Sequence, residues 1–223
     1  MSKTKAPRTH KTPKGAAGPQ RPQVHELLYQ ALETERGGVE VYTTAIECTV
    51  NAELRKEWQK YLKQTTQHVE TVEDICRKLG LDPEEQTAGR RVVHAIGAAL
   101  VQAMRSALGS GDKAAAEIVA AECVTLAETK DHLNWELIGE IVKSADSELS
   151  GALRKAHEKI EEEEDEHLYH SQGWARELWI KSFGLPAVLP PPEEKHDVKT
   201  ATAAEKAKKG RTKEARASKE AAA

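Results

Sequence analysis

Four polar side chains interrupt otherwise apolar helical stripes: Glu35, His68, Glu164 and His167. Two of them belong to the step Glu164-Asp165-Glu166-His167. Residues three apart on a helix share a face, so this step points a carboxylate and an imidazole the same way. Such groups are costly inside a bundle unless they are paired or bound to metal. Carboxylate oxygen and imidazole nitrogen together suit a transition metal and leave coordination positions open for oxygen chemistry. Glu128 and Asp131, one turn apart on another helix, offer one further carboxylate between them.

The elements that must position these groups follow from apolar residues at alternating spacings of three and four. A first helix is predicted from near Gln23 to Thr49, with the stripe Leu28, Ala31, Glu35, Gly38, Tyr42, Ala45. Asn51 caps a second, which runs to Leu79 through Leu54, Trp58, Tyr61, Thr65, His68, Val72 and Ile75 and stops at Gly80. A crossover segment near 90–108 is helical and ends at Gly109-Ser110-Gly111. Asp112 caps a third long helix over about 113–143, with the stripe Ile118, Ala121, Thr125, Glu128, His132, Trp135, Gly139, Val142, and Asp131 lies beside that seam. The last helix, about 148–183, carries Leu153, His157, Ile160, Glu164, His167, Ser171, Trp174 and Leu178. Two tight hairpins joined by a long middle connection predict an all-α fold, a four-helix bundle whose crossover carries an extra helix. Gly37-Gly38 inside the first helix costs about 1 kcal/mol per Gly relative to Ala, which a close helix contact beside Glu35 would justify.

The chain of 223 residues has room for one domain with tails. The bundle is expected over 23–184, between a basic tail (1–22) and a Pro/Lys/Ala-rich tail (185–223), both disordered. Residues 1–22 carry six Lys/Arg and no acid, and 195–223 carry nine against four. The remainder holds 18 basic and 32 acidic residues, a net charge of −14. Such tails suit weak, salt-dependent contact with nucleic acid. Cys48, Cys76 and Cys123 are odd in number, lack CxxC spacing and read as buried thiols of a reducing compartment. No apolar run reaches about 18 residues, so no membrane contact is expected. The basic N-terminus lacks the apolar region of a secretory signal, and cytoplasm is the expected location.

Taken together, Glu-Thr-Glu35-Arg-Gly-Gly-Val-Glu-Val-Tyr42, Thr65-Thr-Gln-His68, Glu128-Thr-Lys-Asp131 and Glu164-Asp-Glu-His167 resemble the ferritin-like di-iron carboxylate superfamily of ferritins, bacterioferritins and rubrerythrins. The resemblance covers roughly residues 23–183. It implies a ferritin-like bundle binding one or two iron ions, with manganese as the alternative metal. The ligands would be Glu35, His68, Glu128 or Asp131, Glu164 and His167. Tyr42 would shield the site or relay an electron. The implied activity is ferroxidase- or peroxidase-like oxidoreductase chemistry on oxygen or peroxide, in iron handling or oxidative-stress protection, and a homo-oligomer is expected. The superfamily pattern places Glu three residues before the second-helix histidine, where this chain has Thr65. Two readings follow: two metals with fewer bridges, or one metal held tightly and a second poorly, with His132 as a compensating ligand. The alternative is a non-enzymatic helical stress or interaction protein with a degenerate site. Glu35 to His68 and Asp131 to Glu164 both span 33 residues, a faint two-fold echo.

Overall fold

Several helices begin or end where the sequence supplies a cap. In the computed structural model, which describes residues 20–144 and 147–191, α1 spans Arg21–Cys48, α2 Ala52–Lys78, α3 Ala88–Gly109, α4 Lys113–Ser144 and α5 Ser147–Ser182. Asn51 Oδ1 accepts from the backbone N–H groups of Glu53 (2.9 Å) and Leu54 (3.3 Å) at the start of α2. Asp112 Oδ1 does the same for Ala115 N–H (3.0 Å) before α4. Each bond satisfies a donor that the first helical turn leaves without a partner. Gly80, with φ +73, ends α2: Leu81 N–H reaches back to Cys76 O (2.8 Å) and Gly80 N–H to Arg77 O (3.1 Å). That pair of bonds needs a left-handed residue, which only Gly adopts without strain.

The fold is the expected all-α bundle. α1 packs on α2, α3 and α4, α4 packs on α5, and α2 meets α5 across the bundle. Only three residues join α1 to α2, and α3 fills the crossover. Arg90, at the start of α3, is fully buried and ties the crossover to α1. Its Nε donates to Glu33 Oε2 (2.7 Å), and its Nη1 donates to the carbonyls of Glu85 (3.0 Å) and Pro83. The segments expected as tails lie outside the described residues except for 20–22 and 185–191.

Two apolar clusters fill the interior. One contains Tyr42, Leu54, Trp58, Tyr61, Met104, Val124 and Trp174. The other contains Leu28, Leu32, Val72, Ile75, Trp135, Ile138, Leu153 and Ile160. On all four bundle helices the polar residues under discussion fall between these clusters in sequence. The bundle therefore has one buried polar layer, with apolar packing on either side of it.

The glycines of α1 mark two close approaches. A Cβ at Gly38 would lie 3.1 Å from Thr65 Cγ2, and a Cβ at Gly97 of α3 would lie 3.8 Å from the Gly37 Cα. The helix contact anticipated for this pair is present on both sides of α1. On α4, Gly139 faces His157 of α5, and an added Cβ would collide with His157 Nε2. We expect Gly139→Ala to destabilise the fold by about 1–3 kcal/mol through overpacking, read as a lowered thermal midpoint.

The expectation about membranes needs adjustment. By length and composition alone, α3 is one helix that could cross a bilayer. It buries Arg90, Val93, Val101 and Met104 while leaving Val92 and Ile96 more than half exposed.

Candidate metal centre

The polar layer converges. Glu35 comes from α1, His68 from α2, Glu128 from α4, and Glu164 and His167 from α5; each is at most 3% exposed. His68 Nδ1 lies 3.1 Å from Glu164 Oε1 and 3.4 Å from Glu35 Oε2. His167 Nδ1 lies 3.4 Å from the same Glu164 oxygen and 3.5 Å from Glu128 Oε2. Two donor trios result, Glu35–His68–Glu164 and Glu128–Glu164–His167, and within each the donor atoms lie within 4.8 Å of one another. Glu164 belongs to both. The two imidazoles stack with ring centroids 6.0 Å apart.

Each histidine is held from behind. His68 Nε2–H donates to Glu163 Oε2 (2.7 Å), and His167 Nε2–H donates to Gln64 Oε1 (3.1 Å). Donation from Nε2 fixes the ring and directs Nδ1 inward, the arrangement that metal-ligating histidines use. Trp135 Nε1–H donates to Glu35 Oε1 at 2.9 Å, which leaves Glu35 Oε2 facing the layer. The inward atoms have no such partners. Glu35 Oε2, His68 Nδ1, Glu128 Oε2, both Glu164 oxygens and His167 Nδ1 are all buried without a hydrogen bond. A buried polar atom left unsatisfied is expensive, so this concentration in one layer fits residues that await a cation.

Burial and proximity set the protonation of the cluster. Burial disfavours charge on His68, but the Glu164 and Glu35 carboxylates outweigh it and push its pKa up to about 11. Burial likewise opposes charge on His167, and Glu164 and Glu128 push its pKa up to about 10. Glu164 is buried too, yet the two imidazoliums hold it down at about 2. Burial and the nearby Glu164 raise Glu128 to about 7. Glu35 is raised, chiefly by burial. At neutral pH the layer therefore holds two imidazoliums around one ionised Glu164, with Glu128 close to half-protonated.

The remaining sequence candidates fall as follows. On α4 the structure brings Glu128 into a trio and leaves Asp131 outside both. Asp131 is nonetheless 4% exposed, with Oδ1 unpartnered. Burial and the charges of Glu35, Glu164 and Glu128 raise its pKa well above the usual range. His132 is not at the centre: its Nε2–H donates to Asp165 Oδ1 (2.7 Å) at the edge of the bundle. The buried face of α4 runs through Val124, Glu128, Asp131 and Trp135, not through Thr125 and His132. Tyr42 is fully buried beside Glu128 with its hydroxyl unpartnered, and burial pushes its pKa far up. Thr65 is buried against Gly38. His170 bonds Tyr61 Oη (3.0 Å), and all three cysteines are buried free thiols.

Sequence reasoning missed the supports, namely Gln64, Glu163 and the indole N–H of Trp135. A signal existed for two of them. Gln64 and Glu163 each lie four residues before a histidine, and each braces the histidine of the other helix. The two-fold relation in the structure thus pairs Glu35 and His68 with Glu128 and His167; the 33-residue echo through Asp131 is not that relation.

Comparisons with protein-family models, with curated proteins and with solved structures find no match to this chain. Fold and site together define a class: a helical bundle with a buried carboxylate–histidine layer able to hold a metal ion.

Proposed function

We propose that this protein is a ferritin-like metalloprotein that holds iron at the centre of its bundle, one position in each trio with Glu164 shared, and acts on oxygen or peroxide. The observation that supports this reading is the set of inward-facing donor atoms on four helices, buried and unpartnered. Carboxylate-bridged metal centres in such bundles use four carboxylates and two imidazoles from facing helices, and the two trios supply three of those carboxylates and both imidazoles. Iron bound there would supply electrons for oxygen or peroxide reduction. The chain's own residues bind, orient and deliver protons. Glu163 and Gln64 orient the imidazoles, Trp135 orients Glu35, and the aromatic side chains of Tyr42 and Tyr61 pack against His167 and exclude water. The protons held by His68, His167 and Glu128 leave as metal enters. Manganese suits the same oxygen and nitrogen donors, and metal analysis of protein purified without chelator distinguishes the two.

Anaerobic addition of iron(II) followed by air tests the reading. Wild-type protein should develop a near-ultraviolet ferric absorbance, and Glu164→Ala with His167→Ala should show none above buffer. Equal signals from both proteins would reject it. Thr65 favours the rival reading, a structural bundle with a decayed site. In that case the imidazolium–carboxylate contacts at 3.1 to 3.5 Å would be the layer's whole role, and wild-type protein should give no ferric signal.

A further inference from the structure

We propose that Asp131 is the fourth carboxylate of the centre, a ligand at the Glu35–His68 position that replaces the carboxylate α2 lacks at Thr65. This rests on the metal-centre reading above and adds a ligand that neither trio contains.

The placement comes from α4. Glu128, three residues before Asp131, belongs to the His167 trio, and Trp135, four residues after it, donates to Glu35 of the other trio at 2.9 Å. Residues at these spacings share one helix face, so Asp131 stands between a ligand of one position and the support of a ligand of the other. It is 4% exposed and its Oδ1 has no hydrogen-bond partner. On α2, the corresponding site of a carboxylate is occupied by Thr65, whose methyl packs on Gly38 and offers no anionic oxygen.

Charge balance points the same way. Two divalent cations bring four positive charges into a layer where Glu35, Glu128 and Glu164 supply three negative ones. Histidines ligate as neutral rings. An uncompensated charge in a buried layer is costly, and Asp131 is the buried, unpartnered carboxyl on the same face that closes the balance once its proton leaves. Asp131 lies outside both trios in this structure, so ligation requires its carboxylate to change rotamer.

Anaerobic manganese(II) titration, followed by electron paramagnetic resonance and by total metal analysis, is the test. Wild type should bind two ions per chain. Asp131→Asn keeps the shape and should keep one ion at full affinity, with the second weakened about tenfold or more and the spin coupling between ions lost. Thr65→Glu combined with Asp131→Asn should recover the second ion, provided circular dichroism shows native helix content. Two ions with unchanged affinity in Asp131→Asn would overturn the proposal. So would a folded double variant that still holds one. Failure of wild type to bind any manganese or iron would instead remove the metal-centre reading beneath it.

Discussion

Glu164→Ala should abolish both metal positions, whereas Glu35→Ala and Glu128→Ala should each abolish one. The asymmetry follows from Glu164 Oε1, which lies within 3.4 Å of the inward nitrogen of both histidines and belongs to both trios. Glu35 and Glu128 each serve a single trio. Metal-to-protein ratios after anaerobic loading and desalting read the result directly: two in wild type, one in each outer variant, none in Glu164→Ala. Removing Glu164 also takes away the anion that opposes both imidazoliums, and an unbalanced buried charge neutralises by losing its proton. Glu164→Ala apo-protein should therefore have both histidine pKa values lowered, with Glu35 and Glu128 still holding them up in part, visible in the pH titration of their ring carbon resonances. A pattern in which the three single variants lose metal equally would contradict the shared-ligand arrangement.

The second large effect is on pH. In the metal-free layer, His68 and His167 titrate near 11 and 10, above the ordinary value of 6.5 for histidine. Their contribution to apo stability is thus fully present below pH 6.5 and is lost as pH rises through about 10 to 11. Glu164, lowered to about 2, contributes above its ordinary 4.5 and loses that contribution as pH falls through about 2. Glu128, raised to about 7, adds a cost that grows as pH climbs from 4.5 to about 7. The apo-protein should accordingly weaken from mildly acidic to alkaline pH. Metal binding runs the other way. The histidine of each position must release a proton to ligate, so the apparent association constant of each ion should rise by about one power of ten per pH unit, or roughly 100-fold between about pH 6 and 8. The thermal midpoint gained on adding manganese(II) should be small at the acidic end of that range and large at the alkaline end. Calorimetry in buffers of different ionisation enthalpy counts the protons released. A pH-independent affinity would show that the imidazoles are not ligands.

How much of this was legible in the sequence differs from helix to helix. On α1, α2 and α5 the apolar residues mark a single face, and Glu35, His68, Glu164 and His167 lie in register with it; all four are buried and converge. On α5 the stripe through Ile160 and Glu164 is the buried face, and Glu164 is 1% exposed. On α4 the same reasoning slipped by one residue. That helix packs against α1, α3 and α5 and also exposes Leu126, Leu133 and Leu137. Apolar residues therefore surround it, and periodicity marks no unique face. The choice between Glu128 and Asp131 could not be made from spacing for that reason. For Gln64 and Glu163 the spacing of four residues before a histidine is visible in the sequence, but their partners are not. Their function is fixed by a hydrogen bond across to a different helix, and no local pattern records that.

The crossed bracing of the two histidines has a mechanical consequence. No hairpin links α2 to α5, so nothing in the chain's connectivity sets how far one slides along the other. The reciprocal bonds from His68 to Glu163 and from His167 to Gln64 supply that missing gauge, at 2.7 and 3.1 Å. A slip by a single residue, about 1.5 Å of rise, would spoil both bonds and both donor trios together. The layer thus acts as a vernier on helix alignment, and a bound ion would fasten the two halves of the bundle at one setting.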